Sequence, residues 1–235
     1  MSFNSSGNSI QKTAPVVFNL LIINALVFLA QMVITGFDIT EWGALHYITS
    51  SRFKPHQFIT NMFMHGGVAH ILFNMFGLWM FGTILERFLG SKRFLIFYLI
   101  CGIGAGILIE LTVPFSANQY LKSSEGLMLA AKGAPVKDII NYYKEVYLAL
   151  GASGAIMGIM AAFAYLFPNT EMFVMFIPIP LKAKYVIPLY VLYDLFGGLR
   201  PTEGDNIGHF AHLGGAIVGF ILVYIWNKKN RKTFY

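Results

Sequence analysis

Six stretches of this chain approach the about 20 consecutive, largely apolar residues that carry a helix across a bilayer. They cover approximately residues 16–35, 66–85, 94–113, 148–167, 185–199 and 208–226 of the 235. Helices that are apolar all round must be surrounded by protein or by lipid. Protein alone does not suffice here. Hydrophobic residues make up 56% of the chain and charged residues 12%, against about 25% charged in a soluble domain, and so short a chain cannot hide that much apolar surface from water. This excludes an ordinary water-soluble domain, a disordered chain and a disulfide scaffold, since the single Cys101 has no intramolecular partner. The expected fold is an all-α membrane protein, a bundle of six transmembrane helices.

The net charge of +6 has a membrane explanation that needs no nucleic acid. Arg87, Lys92 and Arg93 follow the second stretch, Lys182 and Lys184 precede the fifth, and Lys228, Lys229, Arg231 and Lys232 follow the sixth. Together with Lys12 they define one basic side, which the positive-inside rule makes cytoplasmic, with both termini on it. Residues 1–15 then form a short cytoplasmic segment, 16–226 the membrane domain and 227–235 a basic cytoplasmic tail. No small-residue cleavage site closes the first stretch, so it reads as a retained span. The outer side carries Asp38, Glu41, Arg52, Lys54, Glu203, Asp205 and an insertion, 114–147, too polar to span. Within it Val136–Val146 has helical periodicity and is expected to lie along the outer interface.

Polar groups inside spans are costly and therefore informative. In this topology the second, fourth and sixth spans all run from outside to inside. Asn74, Ser153 and His212 fall near their outer ends, from a few residues to about two turns deep at about 1.5 Å per residue. The three share one depth. A serine hydroxyl becomes a nucleophile when a neutral imidazole accepts its proton, and His212 is the candidate base for Ser153. Gly154 and Gly158 on the fourth span and Gly215 and Gly219 on the sixth are small-xxx-small faces that permit backbone contact. If those faces meet, Ser153 and His212 form a dyad. His70 and Asn74, spaced i and i+4, point from one face of the second span and can donate to an oxyanion, joined by the Ser153 backbone amide.

Each residue also has a plainer reading. A serine in a glycine-rich span often serves packing, and a histidine–asparagine pair can cross-link helices. His65, His70, His209 and His212 would be the donors for a metal, but the His65/His70 spacing is not the i, i+4 pair of a zinc helix and no carboxylate base accompanies it. Asp194, near the end of the fifth span, is a candidate third member that would orient His212, but the expected role is structural, pairing near the outer interface or capping the turn before Gly197-Gly198. Glu110 is likewise assigned to the interface.

Three motifs in order, His65-Gly-Gly-Val-Ala-His70-Ile-Leu-Phe-Asn74, Gly151-Ala-Ser153-Gly154 and Ala211-His212-Leu-Gly-Gly215-Ala-Ile-Val-Gly219, make the chain resemble the rhomboid intramembrane serine proteases over roughly residues 16–226. The resemblance implies a six-helix bundle opening to water from the extracytoplasmic side. It implies a Ser153/His212 dyad without an obligatory acidic third member, oxyanion donors at His70, Asn74 and Ser153, and no cofactor or metal. The implied activity is endopeptidase cleavage of transmembrane protein substrates, with membrane lipid as solvent and a bacterial plasma membrane as location. It makes 38–64 a partly embedded first loop and 197–207 a cap over the site.

Four departures from the family pattern stand out. His56-Gln57 replace a Trp-Arg pair, Glu86-Arg87-Phe88 displaces an arginine by one position, Met157 stands where an aromatic residue packs on the imidazole, and the 114–147 insertion is long. None removes a reacting group. Two other classes compete. A rhomboid-like binding protein without activity is disfavoured by the intact serine and histidine, and a transporter by the lack of inverted repeats and broken midplane helices.

Overall fold

A computed structural model describes residues 9–173, 180–202 and 207–230. The expectations for Met1–Asn8, Glu203, Asp205, Arg231 and Lys232 lie outside them. Eight helices of eight or more residues follow one another among the described residues: α1 (Pro15–Val33), α2 (Val68–Leu89), α3 (Ser91–Tyr120), α4 (Ser124–Ala131), α5 (Val136–Val146), α6 (Ser153–Leu166), α7 (Ala183–Leu199) and α8 (His209–Asn230). α1, α2, α3 and α8 are long and apolar enough to cross a membrane; α6 is apolar but 14 residues long, and α7 has 17. The protein is an all-α membrane protein, with both shorter helices in the expected order among the long ones.

Local chemistry sets the boundaries. α1 starts at Pro15, whose missing N–H costs nothing in the first turn. The next two amides, of Val16 and Val17, donate to the two carboxylate oxygens of Glu86 at 2.9 and 2.8 Å, an anion on a helix N-terminus. Arg87, displaced from the family position, donates to Thr13 Oγ1 at 2.8 Å. The insertion, expected from 114, begins later because α3 runs through Pro114 to Tyr120. It then forms α4, capped by Ser123 Oγ accepting from Gly126 N–H at 3.1 Å, and α5, which buries Ile139. The fourth span, expected from 148, starts at Ser153 because Leu148–Ala149 pair antiparallel with Leu45–His46 of the first loop.

α6 is the axis. It packs on α8, α3 and α7, and every residue from Gly154 to Ile159 is buried. Leu78, Phe94, Phe97, Tyr98 and Cys101 fill the core beside it. The outward faces are apolar instead: Leu26, Leu72, Leu111, Leu189 and Phe196 are all exposed. In lipid there is no hydrophobic gain from bringing such helices together, so close packing through small residues must hold them.

Candidate active site

The small residues of α6 and α8 do meet. A β-carbon on Gly215 would collide with the carbonyl oxygen of Gly154, one on Gly219 would lie 2.5 Å from Gly158 Cα, and one on Gly154 would lie 3.2 Å from Ala211 O. The helices therefore touch backbone to backbone over about two turns of α8, starting where Ser153 precedes Gly154 and His212 follows Ala211. Ser153 is the first residue of α6 and half-buried; His212 is buried in the first turn of α8. The Ser153 hydroxyl makes no hydrogen bond among the described residues. Catalytic hydrogen bonds commonly tighten only once substrate is bound.

The third wall is α2. Gly151 has φ +120°, a conformation open to glycine, and a β-carbon there would lie 2.7 Å from His70 Nε2 and 3.5 Å from Asn74 Nδ2. Both side chains thus abut the backbone two residues before Ser153. That backbone is pinned, because Gly151 N–H donates to Asn61 O at 2.8 Å. Gly66 N–H donates to His70 Nδ1 at 3.3 Å, so a neutral His70 carries its proton on Nε2, the nitrogen that faces Gly151. Asn74 is 6% exposed, and its Nδ2 has no hydrogen-bond partner among the described residues. Two donors therefore point at the start of α6.

His65 flanks this group, its ring meeting that of His70 edge-on with centroids 5.2 Å apart. Gln31 on α1 clamps its backbone, accepting its N–H at 3.1 Å and donating to its carbonyl at 3.2 Å. Burial, and then the neighbouring His70, push its imidazole down to about 4, so it stays neutral beside His70. His209 is buried in the first turn of α8.

Asp194 differs from its structural assignment. It is fully buried in α7, and its Oδ1 lies 2.8 Å from His209 Nδ1 and 3.0 Å from His212 Nδ1. Tyr190, one turn earlier, sets its ring 6.2 Å from that of His212, so an aromatic neighbour comes from α7. The contact with His212 is the alternative that the sequence offers and that the structural assignment sets aside; the signal for it is a carboxylate at the depth of an imidazole in an otherwise apolar helix.

The first loop has its own replacement for the absent Trp-Arg pair. His56 stacks on Trp42 with ring centroids 4.4 Å apart. Gln57 is buried and makes four bonds: Oε1 accepts from His46 N–H at 3.3 Å and Lys54 N–H at 3.0 Å, and Nε2 donates to Arg52 O at 3.1 Å and Trp42 O at 3.4 Å. Glu110 accepts from Ile48 N–H at 2.9 Å, tying the same loop to α3. Glu145 on α5 accepts from the Ser51 hydroxyl at 2.5 Å and from its amide at 3.2 Å, which holds the carboxyl below the usual range. The insertion thus braces the loop that leads into α2.

Residues 52–229 match the rhomboid domain family. The chain is 33% identical over 213 residues to RHOMBOID-like protein 12, mitochondrial, of Arabidopsis thaliana, covering 88% of this chain and 56% of that protein. It is 30% identical over 163 residues to Rhomboid protease GluP of Bacillus subtilis, covering 69% and 24%. Against Rhomboid protease AarA of Providencia stuartii it is 30% identical over 214 residues, covering 86% and 69%. The chain therefore spans just over half of the Arabidopsis protein and a quarter of the Bacillus one.

Proposed function

The chain belongs to the rhomboid family, and from that premise we propose that it is an intramembrane serine endopeptidase acting on transmembrane protein substrates through Ser153 and His212. The observation that carries this reading is the backbone contact of Gly154 with Gly215, which sets the helix starts bearing the hydroxyl and the imidazole side by side. Asn74 Nδ2, next to Gly151 and without an acceptor among the described residues, supports it, because such a buried donor suits an oxyanion that exists only during reaction.

Ser153 Oγ attacks the scissile carbonyl carbon while His212 Nε2 takes the hydroxyl proton. The carbonyl oxygen gains the negative charge and accepts from Asn74 Nδ2–H, His70 Nε2–H and the Ser153 backbone N–H. Collapse of this intermediate breaks the C–N bond, and His212 returns its proton to the departing amine. Water then attacks the acyl-enzyme ester with His212 as base, releasing the carboxylate product and restoring Ser153. A substrate helix hides its carbonyls in hydrogen bonds, so a stretch weakened by glycine or proline is favoured at the cleavage point. The basic clusters beside Arg87 and Lys182 support cytoplasmic termini, with the site near the outer ends of the spans.

The reading is tested by incubating the purified full chain with a model transmembrane substrate and, separately, with a fluorescent fluorophosphonate. Wild type is expected to cleave and to label, and Ser153→Ala to do neither. Equal cleavage by both ends the serine-protease reading; a folded wild type that neither cleaves nor labels favours the binding protein. Asn74→Ala is expected to lower kcat by about 10²- to 10³-fold with KM little changed, the cost of one oxyanion donor. Its thermal midpoint should stay near wild type, because Nδ2 has no bond to lose among the described residues. Parallel cleavage and melting curves check both.

A further inference from the structure

We propose that Asp194 is the positioning residue of the His212 imidazole, holding it through Nδ1 with His209 bound to the same oxygen, so that α7 supplies a third member to the site. The inference rests on His212 being the base proposed above.

A cap or an interfacial pair would use a backbone amide or an exposed cation. Asp194 does neither: it lies inside Ala183–Leu199, fully buried, and Oδ1 meets two imidazole nitrogens at 2.8 and 3.0 Å. A carboxylate oxygen has two lone pairs and only accepts, so both rings must present Nδ1–H. A neutral His212 then carries its proton on Nδ1 and leaves Nε2 bare, the tautomer that can take a hydroxyl proton. When it does so, the imidazolium forms against the negative charge of a fully buried carboxylate. His70 is bound in the opposite sense, its Nδ1 accepting from Gly66, so the two imidazoles are sorted into donor and base by their Nδ1 partners.

The rest of the α7 face fits the same purpose. Residues 190, 194 and 197 stand at i, i+4 and i+7 on one stripe. Tyr190 lies against His212, and at Gly197 any β-carbon would collide with the His209 ring. Tyr193 meets His209 edge-on, with centroids 5.7 Å apart. His209, one turn before His212, shares the same carboxylate oxygen, so two bonds to α8 fix Asp194.

The test uses the full chain in detergent or vesicles. In protein with ¹⁵N-labelled histidine, the His212 resonances, assigned by their loss in His212→Ala, are expected to show the Nδ1–H tautomer of the neutral ring; Nε2–H would overturn the proposal. This reading needs neither activity nor an Asp194 variant, so it stands if cleavage is absent or the variant misfolds. Asp194→Asn, whose amide can turn either face to the ring, is expected to mix the tautomers. It should also lower kcat by about 10²-fold or more with KM changed by less than about twofold. Asp194→Glu should recover part of that loss. Wild-type kcat in folded Asp194→Asn overturns the proposal while leaving the protease reading intact. Absence of cleavage in every form, with the Nδ1–H tautomer present, removes the protease reading and the catalytic half of this one.

Discussion

His212→Ala is expected to reduce cleavage to the level of Ser153→Ala, and the double variant to be no worse than either. Each single change should cost about 10⁴- to 10⁶-fold in kcat, because a hydroxyl without its base and a base without its hydroxyl are equally unable to form the acyl-enzyme. The residue left behind would come from oxyanion donors and substrate positioning, which neither change removes. His70 is no substitute base: its Nδ1 is occupied by the Gly66 amide, so its free nitrogen carries a proton and donates. The fold should survive, since removing the His212 ring leaves Asp194 still paired with His209 at 2.8 Å and avoids a buried carboxylate without a partner. The check is kcat and KM for all four forms on one transmembrane substrate in vesicles. Losses that multiply in the double variant would mean that the two residues act separately, and the dyad would fall.

What could be read from the chain alone follows from which interactions are local. Apolar length and flanking lysines and arginines act segment by segment, so the helices and their order were legible. Paired glycines at four-residue spacing announce a close approach, and Gly154, Gly158, Gly215 and Gly219 do approach. Which helix supplies a partner to a given side chain is a property of packing, and there the reading thinned. Asp194 stands 18 residues before His212, with α7 ending and α8 beginning between them, and no periodicity links the two. That Gln57 stands in place of the family's arginine leaves open whether a first-loop contact is absent or replaced; its amide has both donors and an acceptor and ties four backbone groups of the first loop. The start of α6 was displaced for a similar reason. Leu148–Ala149 are apolar enough to extend a span, but their backbone is taken by Leu45–His46, and Gly151 with φ +120° breaks any continuation into the helix.

Gly215→Ala is expected to be among the most damaging single changes outside the reacting groups, although it adds one methyl group. That methyl would land on the carbonyl oxygen and carbon of Gly154, and a main-chain obstacle has no rotamer by which to retreat. α8 must then lift from α6, which moves the imidazole of His212 away from the hydroxyl of Ser153 and opens the rest of the seam at Gly158 and Gly219. A displacement of about 1 Å in a reacting pair costs about 10²-fold in rate, so activity should fall at least that far. Overpacking of this kind typically costs about 1–3 kcal/mol, and the variant should melt well below wild type. Gly102→Ala provides the contrast. Its β-carbon would also meet another atom closely, but that atom is the thioether end of Met62, a flexible side chain that can swing aside. The change should cost little stability and little activity, helped by the roughly 1 kcal/mol better helix propensity of alanine over glycine. Fluorophosphonate labelling and thermal melts of the two variants separate the cases. If Gly215→Ala labels and melts like wild type, the α6–α8 seam is not what brings the serine to the histidine, and the site would have to be assembled by some other contact.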